Sequence, residues 1–143
     1  TAIFVLVATL ARPVGGLLSD RLGGQKLLLY VFIGIALISW LMAMPSIELF
    51  TLGSLGCALL FGFGNGGVFK LVPQYFPQQT GSVTGLVGAA GGLGGFFPPI
   101  VLGICRDMTG SYALGFGLLI VFALACTVVL SQTFLRSAPK TSL

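Results

Sequence analysis

The stretch TLARPVGGLLSDRLGG, Thr9–Gly24, sets an arginine into a run that otherwise reads as the end of a membrane helix. Arg12 stands before a proline and close to two glycines, and Asp20 and Arg21 follow ahead of a second glycine pair. A cation inside an apolar helix is costly unless something partners it. What surrounds Arg12 therefore decides what the stretch is for.

The chain has 143 residues, 56% of them hydrophobic and 7% charged, and a mean hydropathy of +1.08. A soluble domain of this size could not cover such a sequence with polar surface, so the reading is an integral membrane protein. The net charge of +4 calls for no nucleic acid. Cys57, Cys105 and Cys126 stand singly in apolar surroundings, without metal or disulfide spacing. Histidine is absent, which removes the usual zinc ligand and the usual general base. No cofactor and no metal are expected. The sequence opens at Thr1 already inside an apolar run, which reads as a piece whose N-terminal part lies elsewhere.

A spanning helix needs about 20 mostly apolar residues. Five segments qualify, over about 1–19, 27–44, 49–76, 81–103 and 113–135. The fold class expected is all-α, a polytopic membrane helix bundle. Arg21, Lys26, Arg136 and Lys140 gather on one side, with Lys70 near the same end of the third span. The other side holds Glu48 and the self-cancelling Arg106 and Asp107. By the positive-inside rule the first loop and the tail, 136–143, face the cytoplasm. The second and fifth spans are rich in large apolar residues that suit lipid. The third and fourth are dense in glycine, which suits close helix contact or a ligand at the backbone. On that ground the first, third and fourth spans are expected to be central.

Within the third span, GFGNGG (Gly62–Gly67) has the spacing of a dinucleotide fingerprint, but such a site needs a strand and a soluble βαβ unit around it. Helix packing is the better reading. The segment GLLSDRLGGQK, Gly16–Lys26, resembles the loop signature of the major facilitator superfamily, in which two helices join on the cytoplasmic side. Gly16, Asp20, Arg21 and Gly23 match, and Lys26 supplies a late cation. Gly24 and Gln25 replace the basic residues usual after the last glycine. Gly16 would permit a close crossing, and Asp20 can accept a charge-assisted bond from a basic neighbour.

The fourth span narrows the resemblance. GLVGAAGGLGGFFPP, Gly85–Pro99, is similar to the glycine-rich signature of the nitrate/nitrite porter family, a branch of that superfamily. ARPVGGLLSDRLGG and GNGGVFKLVPQYFP agree with it, in the same order along the chain. The resemblance implies helices eight to twelve of a twelve-helix transporter in the cell (inner) membrane. It implies nitrate or nitrite as the partner, beside the lipid bilayer and the N-terminal half of the same transporter. No covalent chemistry is implied, so no enzyme.

Arg12 lies eight positions before Asp20, about 12 Å along a helix and near mid-depth of a core about 30 Å thick. Guanidinium is planar, always charged and presents paired donors that fit a planar oxyanion. The other reading is an arginine that snorkels or bonds helix carbonyls. Resemblance assigns Arg12 to the anion, Phe69 to packing on its plane and Gly91 to backbone approach. Asn65, Lys70, Gly92 and Gly95 are expected in the path or in packing. Lys70 points about 100° from Phe69, either snorkelling to the surface or adding a second cation at an anion path. The spans carry no Asp, Glu or His, so no ordinary proton relay is expected in them. Two other functions fit the same residues: a facilitator-type porter for another small anion, and a non-transporting, truncated membrane scaffold.

Overall fold

In hydrocarbon a single segment satisfies its backbone polar groups internally only as a helix, and among the described residues the five apolar segments accordingly form five helices. A computed structural model describes residues 2–44 and 46–137, with side chains described through 133. The helices are α1 Ala2–Leu22, α2 Gly24–Met42, α3 Ile47–Tyr75, α4 Thr80–Thr109 and α5 Ala113–Ser137. All five are long and apolar enough to cross a membrane. Lys140 and the tail beyond Ser137 lie outside the described residues, as does the side chain of Arg136.

The connections are shorter than the sequence suggested. Between α1 and α2 the expected loop Asp20–Lys26 shrinks to one residue, Gly23, at φ 85° and ψ 132°. A side chain at that φ would meet the backbone, so glycine is the residue that makes the turn. At the other face α4 continues past Gly103 to Thr109 and stops at Gly110, whose φ of 71° is left-handed. The Gly110 amide donates to the Arg106 carbonyl oxygen at 2.7 Å, closing the last turn. Ser46 caps α3, and Glu48 in the first turn complements the positive end of the helix dipole. Pro98 and Pro99 lie within α4 and withhold the amides that would bond the Gly94 and Gly95 carbonyls.

Packing corrects the expected placement of the helices. Leu27, Val31, Ile35 and Ala36 of α2 form the core with Ala123 of α5, flanked by Leu18, Leu60 and Phe63. The second span thus packs between α3 and α5 on one face, while Tyr30, Ile33, Leu37 and Trp40 keep an exposed apolar stripe that suits lipid on the other. The reason is in α3, where a Cβ on Gly53, Gly56, Gly64 or Gly67 would meet Met42, Ile38, Val31 or Leu27 of α2. Large side chains of one helix fill hollows left by glycines of the next. That close fit supplies van der Waals contact where lipid offers no hydrophobic drive. Conversely, α4 buries none of its residues and touches only α5 and, more slightly, α3. A glycine face gains contact only from something at backbone distance, and none of the other four helices comes that close.

Candidate anion site

Arg12 falls in the middle of α1, ten residues before Leu22, or about 15 Å from the end of the helix. Its side chain is exposed, and among the described residues it makes no ion pair. The three acids of the chain, Asp20, Glu48 and Asp107, all lie in the first or last turn of a helix. Arg12 is therefore the uncompensated charge at mid-helix depth.

The α1 backbone around Arg12 is held by α3. A Cβ on Gly66 would collide with the Arg12 carbonyl oxygen and stand 2.9 Å from the Gly16 amide nitrogen. One turn earlier, a Cβ on Gly62 would collide with the Ala8 carbonyl oxygen and stand 2.5 Å from the Ala8 neighbour Ala11 Cβ. From the other side, a Cβ on Gly15 would lie 2.5 Å from the Phe63 Cα. Ala8 pairs with Gly62 and Arg12 with Gly66, so the two helices run in the same direction. Phe4 and Phe61 extend the contact above, with ring centroids 6.5 Å apart.

Two polar contacts tie the opposite end. The Lys70 ammonium lies 3.0 Å from an Asp20 carboxylate oxygen, both side chains nearly half exposed. Gln25 of α2 donates to the Tyr75 hydroxyl of α3. The basic neighbour of Asp20 is thus Lys70, fifty residues away, and neither reading offered for Lys70 included an acid. The Gly16 backbone lies at the crossing with α3, but among the described residues a Cβ on Gly16 would meet nothing within 4 Å. Adjacent helix positions are about 100° apart, and Gly15 is the one that turns to α3. Arg21, Gly23 and Lys26 are exposed around the turn.

Phe69 lies three residues beyond Gly66, about 4.5 Å further along α3, and its side chain is 39% exposed. Arg12 and Phe69 thus sit on two helices that touch. Gly91 is not drawn to them: α1 and α4 have no Cα pair within 8 Å, and a Cβ on Gly91, Gly92 or Gly95 would meet nothing within 4 Å. Asn65 is half-buried in α3 between the glycines. Sequence reading gave Gly62–Gly67 to helix packing without naming its partner, and passed over Gly15. The four-residue spacing of Gly62 and Gly66 was the available signal. Among the described residues no cluster of His, Cys, Asp or Glu could hold a metal ion. What the arrangement offers is an exposed guanidinium on α1 and a partly exposed aromatic side chain on the adjoining α3.

A family profile described as Major Facilitator Superfamily matches residues 1–143. The chain is 46% identical, over 99% of its length, to a nitrite extrusion protein of Bacillus subtilis (strain 168). It covers 36% of that protein. It is 38% identical over 98% of its length to a probable nitrate transporter NarT of Staphylococcus haemolyticus (strain JCSC1435), covering 37% of it. Against the protein of the same name from Staphylococcus aureus (strain N315) it is 42% identical over 85% of its length, and covers 32%. The chain thus spans about a third of the length of these curated relatives.

Proposed function

The chain belongs to the Major Facilitator Superfamily, and from that premise we propose that it forms helices eight to twelve of a nitrate/nitrite porter working by alternating access. In such a porter two half-bundles rock about a central site. The N-terminal half of the same transporter would supply the rest of the path, and nitrate or nitrite would be the cargo. Substrate moves without any covalent bond being made or broken, so the protein is not an enzyme. It is a multi-pass protein of the cell membrane with the Gly23 turn and the C-terminus on the cytoplasmic side, following the basic residues Arg21, Lys26, Arg136 and Lys140.

The observation that carries this reading is Arg12, a guanidinium at mid-helix with no acid at its depth. A buried or lipid-level charge persists where a counter-charge arrives, and an anion in transit is that counter-charge. Its paired donors fit two oxygens of a planar oxyanion. Phe69 would pack on the face of the same anion, and the Gly91 backbone would approach it from α4. The relatives named for nitrite extrusion and nitrate transport support the choice of anion.

The test is counterflow in proteoliposomes holding a full-length transporter that carries this segment. Vesicles loaded with nitrite should take up labelled nitrate, and chloride or sulfate should compete poorly. Equal competition by those anions would make it a general anion porter. Absence of any counterflow, with Arg12→Gln no different from the parent, would favour a non-transporting scaffold.

A further inference from the structure

Most glycines of this chain meet either side chains or open space; three meet a neighbouring backbone where α1 crosses α3, Gly15 from α1 and Gly62 and Gly66 from α3. Gly62 and Gly66 are four residues apart on α3, and Ala8 and Arg12, whose carbonyls they meet, are four apart on α1. Residues four apart lie on one face of a helix, one turn above the other. The hydrogen that each glycine carries in place of a Cβ is therefore directed at a carbonyl oxygen of α1. That is the arrangement of paired Cα–H···O contacts found at close helix crossings.

The match has a local reason. Pro13 has no amide hydrogen, so the Thr9 carbonyl lacks its usual partner within α1. The helix is weakest in the turn from Thr9 to Pro13, and this is the turn that carries Arg12. Without outside support its height and rotation would be loosely set. Gly66 and Gly62 bracket that turn, and the reciprocal contact of Gly15 with the Phe63 backbone closes it from below.

We propose that Gly66, with Gly62, is a positioning residue for substrate. By seating the Arg12 carbonyl against the α3 backbone, it fixes the depth and direction of the guanidinium. The inference rests on the reading of Arg12 as the anion-binding residue. Gly66 touches no substrate itself. It acts through Arg12, and an added methyl would push the Arg12 backbone away by the thickness of a methyl group. Gly64, two residues away, provides the contrast. Its Cβ would meet a Val31 methyl at 3.1 Å, on the α2 side, where a side chain can give way.

The experiment measures nitrate affinity and thermal stability of a full-length transporter carrying Gly66→Ala, Gly62→Ala, Gly64→Ala and Arg12→Gln, singly, and Gly66→Ala with Arg12→Gln. Gly66→Ala should weaken nitrate binding at least tenfold, and Gly64→Ala less than twofold. In the Arg12→Gln background, Gly66→Ala should change affinity no further, since a residue that works through Arg12 has nothing left to position. Equal, additive losses in both backgrounds would overturn the proposal, as would unchanged affinity in Gly66→Ala. Loss of membrane insertion by both Gly66→Ala and Gly62→Ala would reduce the contact to a folding requirement and overturn it too. Normal binding by Arg12→Gln removes the parent reading of the site instead. Loss of binding in Arg12→Gln with none in Gly66→Ala defeats the positioning role alone.

Discussion

The Lys70 ammonium lies 3.0 Å from the Asp20 carboxylate, bridging α1 and α3 about one turn beyond Gly66 on α3 and two turns beyond Arg12 on α1. Both groups are nearly half exposed, and exposed pairs contribute about 0.2–1 kcal/mol. Asp20→Asn and Lys70→Gln should each lower stability by no more than about 1 kcal/mol. The charge swap Asp20→Lys with Lys70→Asp should recover most of the loss. Thermal unfolding in detergent, analysed as a double-mutant cycle, measures it. Losses of several kcal/mol from either single variant would mean that the pair is dry.

Arg12→Lys keeps the charge but replaces a planar fork by a compact, more strongly hydrated ammonium. Loss of one charge-assisted bond corresponds to about 1.5–3 kcal/mol, or roughly ten- to a hundredfold weaker nitrate binding. Arg12→Gln should be weaker still, because the anion would be desolvated with no charge to receive it. Nitrate titration of purified full-length variants reads both. Lysine equal to arginine would mean that only positive potential matters.

Gly23 turns the chain between α1 and α2 at φ 85°. Gly23→Ala should cost about 1–3 kcal/mol, the usual cost of a side chain held in a sparsely populated region. Gly16→Ala, with open space in front of it, should be neutral or slightly stabilising, since alanine is the better helix former. Melting temperatures of the two variants separate backbone conformation from crowding.

Gly91→Leu should insert normally and abolish transport in the full-length protein. Leucine is favourable in lipid but fills space that a close partner of α4 would need. In this chain a Cβ at the position would meet nothing within 4 Å, so the five helices by themselves should accept the leucine without loss of stability. A matched loss of insertion and transport would trace the defect to folding.

Cysteine placed at Ser46 should react with an impermeant maleimide added outside intact cells, and cysteine at Ser137 should not. Strong labelling at Ser137 with none at Ser46 would invert the orientation drawn from Arg21, Lys26 and Arg136.

The five helices and their order were legible because apolar length alone decides whether a segment crosses a membrane. Their neighbours were not. A side chain such as Val31 is equally at home against lipid or in the hollow above Gly64, and hydropathy does not distinguish the two. For this reason the packed face of α2 was not apparent. Of the site, Arg12 was visible as a charge out of place, whereas its support at Gly66 depends on which face of α3 meets α1. The partner of Asp20 was equally hidden, since Lys70 is fifty positions distant and only the crossing of α1 and α3 brings them together.

The meeting of α1 and α3 backbone to backbone also limits how these helices can move. Helices that slide past each other usually do so by small rotamer changes in the side chains between them. Between Ala8–Arg12 and Gly62–Gly66 there are almost no such side chains to rearrange. To slip by a turn, a carbonyl would have to climb over a Cα, so shear along this line is blocked. The turns of α1 and α3 that carry Arg12 and Gly66 are therefore held in register with each other. On the proposed reading of Arg12 and Phe69, release of the anion would come from an element that swings away from the two helices, not from the helices coming apart.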